Sequence, residues 1–120
     1  MKFNEFITFL GTHDLKKTSY FYQNILGLTI YKDQKTCLIF NINEQSKIGF
    51  CEHLPVIHDK KSPIITLVTN DVDGVYNKLI EKGLDITASP KLNKKFNIYH
   101  FFFKDPNGYT LEIQRFLTNT

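Results

Sequence analysis

Among its 120 residues the chain has no tryptophan, two cysteines, four prolines and six glycines, and only one of its fifteen cationic residues is arginine. Scarce proline and glycine exclude collagen-like and low-complexity classes. No stretch approaches the ~20 apolar residues of a membrane-crossing helix, so no membrane span is expected. The opening Met1-Lys2-Phe3-Asn4-Glu5 has no sustained apolar run of the signal-peptide kind, which points to a cytoplasmic location. Cys37 and Cys51 lack CxxC spacing, and a cytoplasmic compartment keeps thiols reduced. A structural disulfide is therefore not expected, and both cysteines read as small strand fillers. Fifteen Lys plus Arg against twelve Asp plus Glu give a formal charge of +3. The pairs Lys16-Lys17, Lys60-Lys61 and Lys94-Lys95 are isolated rather than gathered in a stripe, which argues for solvated surface lysines and against nucleic-acid binding.

What is present is an ordinary globular composition, 42% hydrophobic and 22% charged, with eleven Phe and six Tyr to build an aromatic core. A chain of this size buries roughly two thirds of the surface its unfolded form exposes. It needs neither a disulfide nor a structural metal to hold a core.

The sequence is a degenerate repeat. Asp14-Leu15 through Tyr22 to Gly27-Leu28-Thr29-Ile30 aligns with Asp71-Val72 through Tyr76 to Gly83-Leu84-Asp85-Ile86, at an offset of about 57 residues. Each stretch has an Asp able to cap the first amides of a helix, an apolar stripe, and a Gly where the chain must leave the helix left-handed. In the second, Val72, Val75, Tyr76, Leu79 and Ile80 follow the helical period; in the first, Leu15, Thr18, Tyr22, Ile25 and Leu26 do so. Strand-like runs precede the helices at Phe3 to Leu10 and Ile64 to Thr69. Three more follow each helix: Leu28 to Lys32, Thr36 to Ile42 and Ser46 to Glu52, then Asp85 to Ala88, Asn97 to Lys104 and Tyr109 to Phe116. Each half is thus β-α-β-β-β. The expected fold is α+β: paired βαβββ modules, 1–53 and 63–120 joined by a linker at 54–62, forming a curved mixed sheet around a cleft with the helices outside. A cleft is where a ligand is expected.

Three segments carry a family resemblance: Asp14-Leu15-Lys16-Lys17-Thr18-Ser19-Tyr20-Phe21-Tyr22, Ile25-Leu26-Gly27-Leu28, and Asp105-Pro106-Asn107-Gly108-Tyr109-Thr110-Leu111-Glu112. In this order, and with the repeat, the chain resembles the vicinal oxygen chelate superfamily of glyoxalases, bleomycin-resistance proteins and extradiol dioxygenases over essentially its whole length. The resemblance implies one divalent metal held by His or Glu on the first strand of each module and Glu on the last. Here those positions fall at Ile7, Ile64, the vicinity of Gly49, and Glu112, so only Glu112 can ligate. No cofactor is expected, and a divalent metal would require relocated ligands, with Glu5, Glu52, His53 and His100 the nearby donors. His13, His53 and His58 otherwise read as surface histidines of turns and linker.

The hairpin after Phe103 carries the sharpest expectation. If Phe102 lies opposite Glu112, His100 lies opposite Gln114 and all four share one face, while Phe101 and Phe103 turn under the helix. The expected ligand-binding wall is Ile7, Phe9, Ile64, Thr66, His100, Phe102 and Glu112, and the expected function is binding of an apolar or aromatic small molecule; the resemblance alone implies a homodimer. A cationic drug such as bleomycin suits a +3 chain poorly; a neutral or anionic ligand suits it better. The alternative is an enzyme of the same superfamily, of the lyase, isomerase or dioxygenase type, either metal-dependent through relocated ligands or acting by acid–base chemistry, with Glu112 as a base of raised pKa and His100 as its proton-transfer partner. Neither cysteine has the basic neighbour of an activated nucleophile.

Overall fold

The computed structural model describes residues 1–57 and 59–117; His58 lies outside them. The chain forms two compact units, Met1–Ile57 and His58–Thr120. Each is a βαβββ module with a four-stranded mixed sheet, so the fold is α+β as the repeat implies.

In the first unit β1 (Phe6–Gly11) leads to helix α1 (Leu15–Tyr20), whose start is capped by the Asp14 carboxylate accepting from the Lys17 amide at 3.0 Å. A π-helical turn, Phe21–Ile25, continues α1. That wider turn buries the adjacent Phe21 and Tyr22 together, whereas a regular helical stripe predicts Tyr22 without Phe21. The chain then leaves through Gly27 at φ +74°. Strands β2 (Thr29–Asp33), β3 (Cys37–Asn41) and β4 (Ser46–Cys51) follow, in the sheet order β1-β4-β3-β2 with β1 parallel to β4. Tyr22 packs on Phe50 and Phe40, ring centroids 4.6 and 5.7 Å away, which makes the Phe40, Ile48 and Phe50 side of the sheet the helix side. By alternation the other face carries Ile7, Phe9, Ile39, Lys47, Gly49 and both cysteines.

The second unit repeats this plan. β5 (Ile64–Val68) precedes α2 (Val72–Glu81), capped by Asp71 accepting from the Gly74 amide at 2.9 Å and left through Gly83 at φ +88°. β6 (Lys91–Asn93), β7 (Ile98–Lys104) and β8 (Thr110–Phe116) complete the order β5-β8-β7-β6. Tyr76 of α2 meets Phe101 edge-on at 5.3 Å, and Phe101, Phe103, Leu111 and Ile113 are buried beneath the helix. The turn between β7 and β8 is fixed by Asp105, whose carboxylate accepts from the amides of Asn107 and Tyr109 at 2.8 and 2.9 Å. The strand expected at Asp85 to Ala88 is absent: residues 84–90 are irregular, and the edge strand forms only after Pro90, which supplies no amide to a ladder.

A second correction concerns the cysteines. Cys37 and Cys51 are direct partners across β3 and β4, their Cα atoms 4.1 Å apart, and they form a disulfide. The two lack the spacing of a CxxC redox pair, but hairpin register places residues fourteen apart side by side. Among the described residues no helix is long and apolar enough to cross a membrane.

Candidate functional site

The second module's helix-free face gathers a polar cluster. Alternation along β8 buries Leu111 and Ile113 under α2 and turns Glu112 and Gln114 the other way. Register then sets Phe102 opposite Glu112 and His100 opposite Gln114, as the Asp-Pro-Asn-Gly turn predicts, while parallel pairing sets Thr66 of β5 beside Glu112. Glu112 is 6% exposed and His100 5%. A buried carboxylate is costly unless donors surround it, and here three do. Its Oε1 accepts from Thr66 Oγ1 at 2.7 Å and Gln114 Nε2 at 2.8 Å; its Oε2 pairs with His100 Nδ1 at 2.6 Å.

Electrostatics follow from that geometry. Burial pushes the Glu112 carboxyl up, but the hydrogen bonds from Thr66, His100 and Gln114, and the charge of a protonated His100, together hold it below the usual carboxylate range. The sequence-based expectation of a raised pKa is therefore reversed: Glu112 is ionised at neutral pH, and each oxygen already holds a donor. An ionised carboxylate only accepts, so His100 Nδ1 carries the proton and Nε2 is the imidazole's acceptor when the ring is neutral. His100 and Phe102 also line a cavity of about 380 Å³ with Thr87, Ser89, Lys91 and Asn93. Phe102 is 42% exposed, and Ile64, on the same face of β5, is 58% exposed. One polar atom here lacks a partner among the described residues: the buried Oε1 of Gln114. Such an atom normally finds a donor.

The first module's corresponding face is different. Phe9 pairs with Gly49 as Thr66 pairs with Glu112. A Cβ on Gly49 would stand 2.6 Å from the Phe9 ring, so the aromatic ring covers the position that Glu112 occupies in the second module. Ile7, paired with Lys47, supplies no ligand atom, and neither does Ile64. Lys47 is buried, its ammonium donating to the backbone carbonyls of Asn43 and Glu44 and lying 4.7 Å from the Tyr31 ring centroid. Glu5, a candidate relocated ligand by sequence, instead accepts from the Tyr31 hydroxyl at 3.0 Å. The donor set for a vicinal-oxygen-chelate metal is thus reduced to Glu112, whose oxygens are already engaged, and these residues do not fit that metal.

Sequence reasoning missed one cluster entirely. Among the described residues a single group of three metal-ligating side chains comes together, Cys37, Cys51 and His53, with all ligand atoms within 4.8 Å. The signal that finds it is the β3–β4 register, because His53 lies just beyond the strand that carries Cys51.

Comparison with known proteins places these observations. The family model described as Glyoxalase/Bleomycin resistance protein/Dioxygenase superfamily matches residues 5–113. No curated protein matches the chain. Among solved structures, a glyoxalase/bleomycin resistance protein/dioxygenase from Nocardioides is similar at a TM-score of 0.81 and 16% identity, covering 100% of this chain and 87% of its own. An antibiotic binding protein from Streptomyces is similar at 0.77 and 21% identity, with 91% and 92% covered. A lactoylglutathione lyase from Agrobacterium tumefaciens is similar at 0.72 and 16% identity, with 91% and 90% covered. Identities this low establish a shared fold and nothing finer.

Proposed function

The chain belongs to the Glyoxalase/Bleomycin resistance protein/Dioxygenase superfamily, and from that membership we propose that it is a ligand-binding member, taking an apolar or aromatic small molecule against the face that carries His100, Phe102 and Glu112. The observation that carries this reading is the state of Glu112: ionised, and with both oxygens engaged by Thr66, Gln114 and His100. A carboxylate so engaged is a fixed anchor rather than a base. Around it stand half-exposed apolar groups, Ile64 and Phe102, whose burial by a ligand returns about 25 cal/mol for each Å² removed from water. Ile7 and Phe9 present the same apolar character in the first module. The ligand's polar complement is small: a donor for Gln114 Oε1 and one for His100 Nε2. The +3 charge favours a neutral or anionic compound. Similarity to an antibiotic binding protein from Streptomyces supports a sequestering role. A cytoplasmic homodimer completes the proposal; in that reducing compartment the Cys37–Cys51 disulfide is open to reduction.

One observation favours a second reading, that of an acid–base enzyme. A carboxylate holding Nδ1 of an imidazole, with Nε2 left to accept, is the arrangement of an oriented general base. In that case His100 moves the proton and Glu112 positions it.

The test is titration with a panel of neutral and anionic aromatic compounds, followed by protein-observed NMR. A ligand that shifts the His100 and Phe102 signals and loses roughly 1 to 3 kcal/mol of affinity in Phe102→Ala supports the binding reading. Compounds that bind wild type and Phe102→Ala equally refute it. Turnover abolished by His100→Gln would move the assignment to the enzyme.

A further inference from the structure

The first module carries a site of its own, at the far end of β4 from the turn that joins it to β3. Cys37 and Cys51 face each other across the hairpin, both buried, at 6% and 2% exposure. His53 is exposed, and its Nδ1 stands 4.0 Å from Cys37 Sγ. From this geometry we propose that, once the Cys37–Cys51 disulfide is reduced, the two thiolates and the His53 imidazole bind a thiophilic divalent cation of the Zn²⁺ kind.

The spacing suits the ion. With Zn–S near 2.3 Å and Zn–N near 2.0 Å, ligand atoms of a tetrahedral site stand roughly 3.5 to 3.8 Å apart. The three atoms here lie within 4.8 Å of one another, and the released sulfurs are free to open to that separation by side-chain rotation. The donor set, two soft thiolates and an imidazole, selects Zn²⁺ over Mg²⁺ or Ca²⁺, which prefer oxygen. The backbone that carries the ligands is held. Cys51 carbonyl accepts from the Thr12 amide at 3.0 Å, and the Glu52 amide donates to the Thr36 carbonyl at 2.9 Å. The segment after His53 lies against β1 so closely that a Cβ on Gly11 would stand 2.2 Å from the Pro55 carbonyl oxygen. His53 therefore projects from a fixed turn. Its exposure leaves the fourth coordination position open to water.

The chemistry balances as two steps. A small-molecule or protein dithiol reductant gives two electrons and two protons to the disulfide, leaving two protein thiols and an oxidised reductant. The cation then displaces one proton from each thiol, and neutral His53 adds its Nδ1 lone pair without losing a proton. Disulfide and metal are mutually exclusive states of the same two sulfurs.

The experiment uses the full chain. Protein reduced with a phosphine under argon, with two thiols counted by a chromogenic disulfide reagent, is titrated with Co²⁺ as a spectroscopic probe and back-titrated with Zn²⁺. The proposal expects one Co²⁺ per chain with a thiolate-to-cobalt charge-transfer band, displacement by Zn²⁺, and no band in the oxidised protein. That oxidised-versus-reduced comparison needs no variant. His53→Ala, checked for fold by circular dichroism, should keep the cysteines but weaken Co²⁺ by at least the roughly tenfold that even outer-shell changes cost. Reduced protein with two counted thiols and no charge-transfer band overturns the proposal. So does equal affinity in His53→Ala, and so does a disulfide that stays closed under excess phosphine.

Discussion

The two modules share a plan and differ on one face. Helix caps, glycine exits and parallel closure recur in both, yet the row Thr66–Glu112–Phe102 of the second module is Phe9–Gly49–Ile39 in the first. The next row, where His100 faces Gln114, is the Cys37–Cys51 pair. One copy thus keeps a hydrogen-bonded carboxylate, and the other replaces it with an aromatic ring over a glycine and a covalent cross-link. The repeated plan preserves what builds a sheet and leaves the helix-free face free to diverge.

Exchanging parts between the modules tests that difference most severely. Gly49→Glu puts a carboxylate under the Phe9 ring with no donors, and should cost about 3 to 5 kcal/mol, the scale of an uncompensated buried charge. Adding Phe9→Thr, which recreates the Thr66–Glu112 pair, should recover part of that loss in chemical denaturation; no recovery would mean that the faces are not interchangeable even locally. Reduction of the disulfide is next in size. It frees a loop closed by residues fourteen apart, worth roughly 3 kcal/mol in the chain-entropy account, and the Cys37→Ser/Cys51→Ser variant should show the same loss by calorimetry. An unchanged melting temperature would remove the cross-link from the first module's stability.

Disrupting the polar row should cost less. Glu112→Leu leaves the donors of His100, Thr66 and Gln114 without their acceptor and should destabilise the fold by about 1 to 3 kcal/mol. Because the folded Glu112 carboxyl titrates below its unfolded value, its stabilisation is present above the unfolded pKa and fades as pH falls through the folded one. Acid titration of stability should therefore be flatter in Glu112→Gln than in wild type; parallel curves would contradict the assigned direction. Phe102→Ala is the mildest change. At 42% exposure it should alter stability by less than about 1 kcal/mol while weakening an aromatic ligand.

Much of this was readable in the residues. Asp14 and Asp71 caps, with Gly27 and Gly83 exits, are local chemistry and locate both helices. Asp105-Pro106-Asn107-Gly108 fixes a hairpin register, and that register brings His100, Phe102, Glu112 and Gln114 onto one face. The same counting across Asn43-Glu44-Gln45 pairs Cys37 with Cys51, a pairing that neither CxxC spacing nor compartment reveals. The direction of the Glu112 shift was hidden because it depends on donors as distant as Thr66, 46 residues away. The three-residue β6 at Lys91–Asn93 is too short for periodicity to mark. The π-helical turn, likewise, left no pattern beyond two adjacent aromatic residues.

Parallel closure also orders the events of synthesis. Phe6 waits for Ser46, forty residues later, before its strand has a neighbour, and Ile64 waits for Thr110, 46 residues later. Long-range pairings of this kind pay loop-closure entropy before any contact rewards them and slow folding. Until β4 leaves the ribosome the nascent chain shows an unpaired edge bearing Phe6, Ile7 and Phe9, the kind of segment that chaperones shield. Once Cys51 has emerged, the first sheet has all four of its strands, and it can close while the second is still being translated.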